Sequence, residues 1–208
     1  MSKIKILDLT ISSIGSIYSA LRKTGVKNIE VVRDLKSLQR EHLLVIPGNG
    51  NFGQASTALD QHNLRSYLQD FISNGGKILG ICLGMQILAI SSEESDEGVG
   101  LNYFKTKVKR FPNEKNLRIP NIGWAEVTAS SNPFNFHSLK APSDFYFSHS
   151  YFVEDSPNIS GKLTSNNGTF EFCCGIVQEQ IIAVQFHPEK SSRSGAKFLD
   201  DVVSWANE

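Results

Sequence analysis

The sequence has no excess of charge of either sign, because 21 lysines and arginines are balanced by 21 aspartates and glutamates. Proteins that bind nucleic acid or an anionic membrane through their surface usually carry a basic excess. The apolar runs also fall well short of the roughly 20 residues that a membrane-spanning helix needs. The first residues mix charged and apolar side chains, unlike a signal peptide. We therefore expect no nucleic acid, no membrane partner and a cytoplasmic protein.

The cysteines of the chain also match no common disulfide, redox or zinc motif. The three cysteines are an odd number, and a disulfide framework usually has an even one. Two of them are adjacent, at Cys173 and Cys174, which is not the C-x-x-C spacing of a redox or zinc site. The chain also lacks the G-x-x-x-x-G-K-[ST] loop that cradles phosphates. We predict a reducing compartment, no metal and no cofactor.

The first half of the sequence alternates between two kinds of apolar pattern. Short apolar runs at residues 3–9, 29–32, 43–46 and 77–81 predict buried strands. Between them, helical spacing predicts helices from residue 14 to Gly25 and from residue 64 to the Asn74-Gly75-Gly76 turn, and a further helix should begin near Leu83. Such alternation favours a parallel sheet with helices on both faces.

The second half is mostly strand-like, and its last segment returns to a helical pattern. Strand-like runs occupy residues 105–111, 124–128, 145–152, 169–177 and 181–186, with turns at 166–168 and 179–180. No internal repeat or long linker divides the chain. We predict one α/β domain over residues 1–208, with a three-layer, flavodoxin-like, mostly parallel sheet and an added antiparallel strand set in the second half.

Cys82 lies at the junction of a predicted strand and a predicted helix, inside Gly-Ile-Cys-Leu-Gly. A sharp turn there would expose the thiol above the sheet edge, as in a nucleophile elbow. The positive end of the following helix would favour the thiolate, and the Leu83 N–H could stabilise an oxyanion. The alternative is a small buried side chain, which most free cysteines are. The pentapeptide alone leaves both interpretations open.

A base for this thiol is available at His187, where a predicted strand ends in His-Pro-Glu. In extended backbone, residues two apart project to the same side, so the Glu189 carboxylate can orient the His187 ring. His42 and His62 lie in polar surroundings, and we predict them to be exposed and without a role. Together Cys82, His187 and Glu189 predict a nucleophile–base–acid triad.

Three segments resemble the motifs of the triad-type (class I) glutamine amidotransferases. They are Gly80-Ile-Cys-Leu-Gly-Met-Gln86, Gln185-Phe-His-Pro-Glu-Lys-Ser191 and Pro47-Gly-Asn-Gly50. Two others, Ile119-Pro-Asn-Ile-Gly-Trp124 and Ser148-His-Ser-Tyr151, are similar to segments of the glutaminase subunits of imidazole glycerol phosphate synthases. This resemblance extends from the first strand to the last helix.

The resemblance implies a glutaminase, a hydrolase that works within a synthase complex. Cys82 would attack the side-chain amide of L-glutamine, His187 would transfer protons and Glu189 would orient His187. The implied oxyanion site comprises Gly48, Asn49, Gly50 and Leu83. The implied substrate-binding residues are Gln86, Glu94, His149, Ser150 and Tyr151.

A partner is expected for two reasons. The chain leaves no room for a domain that would accept ammonia, and the resemblance implies a second subunit. In the family, a cyclase subunit with a (β/α)₈ barrel forms a heterodimer with the glutaminase and receives the ammonia. The products are imidazole glycerol phosphate and aminoimidazole carboxamide ribonucleotide, in histidine biosynthesis.

Two departures from the family pattern keep alternatives open. The oxyanion loop usually has a small apolar residue in place of Asn49, and the Pro-His-x-Gly-Trp-Asn segment has Asn121 and Ala125 in place of the His and the second Asn. These positions leave open a paralogue that supplies ammonia for a nitrogen-containing surface sugar. A cysteine hydrolase and a non-catalytic binding module on the same fold are alternatives from other classes.

Overall fold

The computed structural model describes residues 3–9, 14–40, 42–130, 134–156, 159 and 161–208. The helices in these residues are α1 (Ile14–Lys23), α2 (Phe52–Gln61), α3 (Leu64–Ser73), α4 (Leu83–Gln86) and α5 (Ser192–Ala206). The strands are β1 (Lys3–Leu7), β2 (Asn28–Val32), β3 (His42–Gly48), β4 (Lys77–Cys82), β5 (Ser91–Ser92), β6 (Ser95–Val99), β7 (Val108–Arg110), β8 (Asn121–Ala129), β9 (Ser143–His149), β10 (Tyr151–Val153), β11 (Gly161–Asn167), β12 (Phe170–Gln178) and β13 (Ile181–Val184). None of the helices in the described ranges is long and apolar enough to cross a membrane.

A parallel sheet in the order β2-β1-β3-β4-β13 forms the centre of the molecule. Strands β3, β4 and β13 are almost entirely buried, as expected for strands that are covered on both faces. Side chains of β3 alternate between two cores: Leu43 and Val45 pack on one face, and Leu44 and Ile46 on the other. This alternation is the period of two that a strand imposes.

The two cores define the helix layers. Buried residues of α1 and α5 pack with Leu43 and Val45, whereas buried residues of α2 and α3 pack with Leu44 and Ile46. The sheet therefore has helices on both faces, which confirms the predicted three-layer α/β class.

The antiparallel part continues from β13 through β12 to β10 and β7. Strand β11 pairs with β12 and with β8, and β9 completes this part against β8. The register pairs Asn121 of β8 with His149 of β9. The added antiparallel set predicted for the second half is thus confirmed, and it brings the end of β9 next to the end of β4.

The structure corrects several local predictions. Helix α2 and the β5–β6 hairpin were not predicted, although Asn51 caps α2 by accepting hydrogen bonds from Gly53 N and Gln54 N. The helix after Cys82 begins at Leu83 as predicted, but α4 is a single turn, so the dipole of this helix is small. Strand β11 was missed, and it continues through Asn167 where a turn was predicted.

His42 is buried, not exposed as predicted. It begins β3, which lies between β1 and β4, and its Nδ1 is 3.0 Å from the backbone oxygen and 3.0 Å from the backbone nitrogen of Gln39. Polar neighbours in the sequence therefore do not predict the exposure of a residue that begins an interior strand.

Candidate active site

Cys82 occupies a sharp turn between β4 and α4, with φ 55° and ψ −108°. A positive φ is strained for a residue with a side chain, and such strain recurs at functional sites. The turn requires glycine at position 84, because a Cβ there would lie 1.7 Å from the backbone oxygen of Ile46. Gly48, at the end of β3, is the register partner of Cys82. The close approach of these two strand ends fixes the thiol at the carboxyl end of the parallel strands.

His187 and Glu189 lie beside this turn, after the neighbouring strand β13. Nδ1 of His187 is 2.8 Å from Oε1 of Glu189, and the two side chains are 4% and 9% exposed. The His187 N–H donates to the backbone oxygen of Tyr146, 2.8 Å away, which fixes the backbone. Among the described residues, no group hydrogen-bonds to Nε2 of His187 or to Oε2 of Glu189. The ring nitrogen that a base would use is therefore unoccupied by any other protein group.

The pKa of His187 reflects two opposing influences. Burial, the larger single one, lowers it, but the neighbouring Cys82 sulfur and the Glu189 carboxylate outweigh burial and raise the pKa to about 9. The charged imidazolium is thus favoured near neutral pH. A protonated imidazole beside a sulfur is the arrangement that an acid–base pair with a thiolate requires.

A cavity of about 220 Å³ opens over Cys82. Eight other residues that the sequence predicted for the oxyanion or substrate sites line the same cavity: Asn49, Gly50, Leu83, Gln86, Glu94, His149, Ser150 and Tyr151. Pro120, Ile122 and Ser148 complete the lining. The volume lies below the usual range for drug-sized ligands, which suits a smaller molecule such as an amino acid.

Gly48 lies on the other side of the Asn49 backbone. It lines a second cavity, of about 20 Å³, together with His187, Glu189 and Asn49. Asn49 therefore lines both cavities, the one over Cys82 and the smaller one beside His187. This position suits the predicted oxyanion loop, whose exact contacts with a substrate are a prediction.

The antiparallel side of the cavity is held by buried hydrogen bonds. Nδ1 of His149 is 2.8 Å from the backbone oxygen of Tyr151, and Nε2 of His149 is 3.1 Å from Nδ2 of Asn121. Burial is the main cause that lowers the pKa of His149 to about 4, so its ring is neutral. Because the Tyr151 oxygen can only accept, Nδ1 carries the proton and Nε2 accepts from Asn121. His149 is thus a support for the strand and not a rival base.

Glu94 reaches the cavity from the β5–β6 turn. Its Oε2 accepts a hydrogen bond from the backbone N–H of Phe52, 2.8 Å away. This bond ties the carboxylate to the first residue of α2, and it was not foreseen because neither α2 nor the hairpin was predicted. Within the part of the chain that the structure describes, no group of three or more His, Cys, Asp and Glu side chains is arranged to hold a metal ion.

Two buried polar residues near the triad had no predicted role. Ser191 Oγ donates to the His187 backbone oxygen at 2.6 Å and accepts from the Tyr146 N–H at 2.9 Å, which clamps the turn that carries His187 and Glu189. Gln185 is fully buried and contacts the Cys82 sulfur. The sequence signal for Gln185 was a polar residue near the end of an otherwise apolar run.

Solved structures with this architecture are glutamine amidotransferases and related synthase subunits. A crystal structure of a glutamine amidotransferase superposes with a TM-score of 0.73 at 14% identity, covering 99% of each chain. A chain of the PurLQS structure from Thermotoga maritima has a TM-score of 0.71 at 13% identity, covering 98% of each chain. At these identities the likeness shows the fold alone.

The sequence comparisons are more specific. The family model "Glutamine amidotransferase class-I" matches residues 5–204. The imidazole glycerol phosphate synthase subunit HisH of Chlorobium chlorochromatii is 38% identical over 194 residues, covering 93% of this chain and 96% of the relative. The HisH subunit of Pyrococcus furiosus is 38% identical over 200 residues, covering 96% and 97%. The chain belongs to the class-I glutamine amidotransferases and, within them, to the family of HisH subunits, which confirms the resemblance seen in its motifs.

Proposed function

We propose that the chain is the glutaminase subunit of an imidazole glycerol phosphate synthase, hydrolysing L-glutamine to glutamate and ammonia. The observation that carries this proposal is that Cys82, which lines the substrate-sized cavity, lies beside the hydrogen-bonded pair His187 and Glu189. A packing cysteine would need neither the strained turn nor an ionisable base beside it.

In the proposed mechanism, His187 holds the proton of the Cys82 thiol, and the sulfur attacks the side-chain amide carbon of glutamine. The C–N bond breaks as His187 gives its proton to the leaving nitrogen, which departs as ammonia. Water, deprotonated by His187, then cleaves the thioester to glutamate and restores the thiol. Glu189 keeps the His187 ring in the productive tautomer.

The developing oxyanion lies where the two strand ends meet. Leu83 follows the nucleophile, and Gly48, Asn49 and Gly50 continue from β3 alongside it. We propose that backbone N–H groups from these two segments stabilise the negative charge.

The amino-acid end of glutamine would lie toward the antiparallel side of the cavity. Gln86 uses both hydrogens of its amide, one on the Tyr151 backbone oxygen at 3.0 Å and one on Oε1 of Gln185 at 3.1 Å. Its own oxygen therefore remains for the substrate. With the Glu94 carboxylate it offers acceptors for the substrate ammonium, while the strand at His149, Ser150 and Tyr151 forms the facing wall.

Two exposed apolar side chains lie on the strand that borders the cavity. Ile122, which lines the cavity, and Trp124 are large apolar side chains on β8 that are 50% and 53% exposed. Exposed large apolar side chains in one place are typical of protein-binding surfaces. We propose that the cyclase subunit, a (β/α)₈ barrel, docks on this surface and forms a heterodimer with the chain. We further propose that residues 1–208 form a single domain and that the complex works in the cytoplasm. Ammonia would then pass to the cyclase without entering solvent, for the synthesis of imidazole glycerol phosphate and aminoimidazole carboxamide ribonucleotide.

The paralogue that serves a surface sugar is less well supported. The relatives that cover nearly the whole chain carry the HisH name. The unusual Asn121 has an internal role on His149, so it does not require a different partner.

The test is glutamate release from glutamine by the purified chain, alone and with a histidine-pathway cyclase and its nucleotide ligand. We expect weak activity from the chain alone, because the glycine-containing loop from Pro47 to Gly50 needs the partner to set it, and strong stimulation in the complex. Activity that this cyclase cannot raise would refute the histidine assignment. No glutamate release under any condition would refute the glutaminase.

A further inference from the structure

Gln185 connects Cys82 with Gln86 but does not line the substrate-sized cavity. It follows β13, two residues before His187, and it has no exposed surface. Its Nε2 lies 3.5 Å from Sγ of Cys82, and its Oε1 lies 3.1 Å from Nε2 of Gln86. Its own backbone N–H donates to the Cys174 oxygen at 2.8 Å, so the residue is anchored in the sheet.

The direction of these bonds follows from one fixed acceptor. The Tyr151 backbone oxygen can only accept, so the Gln86 group that meets it must be the N–H₂. The second hydrogen of that N–H₂ then needs an acceptor, which is Oε1 of Gln185. A rotated Gln185 amide would set two donors against each other. The Gln185 N–H₂ must therefore face the sulfur.

We infer that Gln185 is a positioning residue, whose amide donates to the Cys82 sulfur and holds it as a thiolate in line with the cavity. This inference rests on the proposed function. A hydrogen bond to an ionised acceptor is shorter and stronger than one to a neutral acceptor, so the bond favours S⁻ over S–H. His187 receives the proton on its side of the sulfur, and Gln185 stabilises the resulting anion from another side. Through Gln86, the same amide links the nucleophile to the wall that holds the substrate.

The experiment measures the ionised state of the sulfur directly and not through turnover. Full-length wild type, Gln185→Met and Gln185→Leu are treated with iodoacetamide at pH 7 and at pH 10, and alkylation at Cys82 is followed by peptide mass spectrometry. Methionine keeps the approximate volume but has no donor. Leucine also lacks a donor and has a different shape, so an effect common to both variants comes from loss of the amide.

We expect Gln185→Met to alkylate about tenfold more slowly than wild type at pH 7, from the usual strength of a bond to a charged group. At pH 10, where an ordinary thiol is ionised in any case, the rates should agree within about twofold. Gln185→Leu should be slowed by a similar factor at pH 7. In the complex with the cyclase, kcat for glutamine at pH 7 should fall by a similar factor.

A matched control removes a buried amide elsewhere. Asn167 is buried in β11 and bonds to the backbone of Arg118 through both its oxygen and its nitrogen. Asn167→Leu should lower thermal stability but leave the alkylation rate at Cys82 unchanged. An equal slowing in this variant would mean that the Gln185 effect is general loosening, which would overturn the proposal.

Other outcomes also decide the matter. Wild-type alkylation rates at pH 7 in both Gln185 variants would overturn the proposal, as would an equal slowing at pH 7 and pH 10, which indicates altered access. If Gln185→Met does not fold, Gln185→Leu decides, because a wild-type rate at pH 7 without the amide donor contradicts the proposal. Failure of wild type to release glutamate would instead refute the proposed function, so the two failures are distinguishable.

Discussion

The parallel and antiparallel parts of the sheet each contribute one buried histidine to the site, and the two rings are in opposite states. His187 follows the parallel strand β13 and contacts two acidic groups, Cys82 and Glu189, which raise its pKa to about 9 in spite of burial. His149 ends the antiparallel strand β9, where burial lowers its pKa to about 4 and its partners are a backbone oxygen and an amide. Partners that can carry negative charge thus distinguish the proposed base, His187, from His149, whose ring is similarly buried.

The two histidines also contribute to stability in opposite pH ranges. The folded-state pKa of His187 is above that of a free histidine, about 6.5, so its contribution is fully present below pH 6.5 and is lost as pH rises through about 9. The folded-state pKa of His149 is below the free value, so its contribution is present above pH 6.5 and is lost as pH falls through about 4. The site is therefore most stable between these limits.

The largest expected effect comes from the nucleophile. Cys82→Ala should lower glutamine hydrolysis to background, a loss on the order of 10⁶-fold, because no other group can form the thioester. Circular dichroism should show an unchanged fold, and partner binding should persist. The control is Cys174→Ala on the antiparallel strand β12, a buried thiol that should keep activity. Residual glutamate release by Cys82→Ala would disprove the nucleophile.

Glu189→Gln tests what makes His187 the charged histidine. Loss of the carboxylate on Nδ1 should reduce kcat by on the order of 10²-fold. Wild-type hydrolysis should decline as pH rises through about 9, where His187 loses its proton, and the variant should decline at a lower pH because one cause of the raised pKa is gone. Rate–pH profiles measure this, with Glu171→Gln on the exposed side of β12 as the control. An unchanged alkaline limb would contradict the role of Glu189.

Gly84→Ala tests the close strand contact on the parallel side. The added Cβ would meet the Ile46 backbone oxygen, which cannot move aside, so the free energy of unfolding should fall by about 3 kcal/mol. Gly15→Ala is a matched control in α1, where a Cβ meets nothing within 4 Å, and it should raise the free energy of unfolding by up to about 1 kcal/mol. Urea titration compares both variants. Similar stabilities would show that the elbow is not tightly packed.

Asn121→Leu tests the antiparallel side and has the smallest expected effect. It leaves Nε2 of His149 buried without a donor, which should lower the free energy of unfolding by about 2 kcal/mol. KM for glutamine should rise more than kcat falls, since His149 supports the substrate wall and not the triad. Exposed Asn113→Leu serves as the control in the same steady-state assay. A larger fall in kcat than rise in KM would place Asn121 in the chemistry.

Much of this site could be predicted from short patterns. An apolar strand followed by Gly-x-Cys-x-Gly and a second strand followed by His-Pro-Glu indicated a nucleophile and an oriented base, and the motif resemblance gave the family. Prediction failed where the pattern was weak or non-local. Helix α2 has few large apolar residues, β5 and β6 are polar, and His42 is buried only because neighbouring strands flank it.

The sequence by itself determined the α/β class and pointed to Cys82, His187 and Glu189 as the proposed triad, because strand and helix periodicity and strand-end motifs are local properties of the chain. Only the tertiary structure decided the charge states of the two histidines and the roles of Gln185 and Asn121. These depend on groups that are far apart in sequence: Cys82 and Gln185, for example, are separated by 103 residues. Burial and hydrogen-bond direction arise when distant strands pair, so no local pattern in the sequence records them.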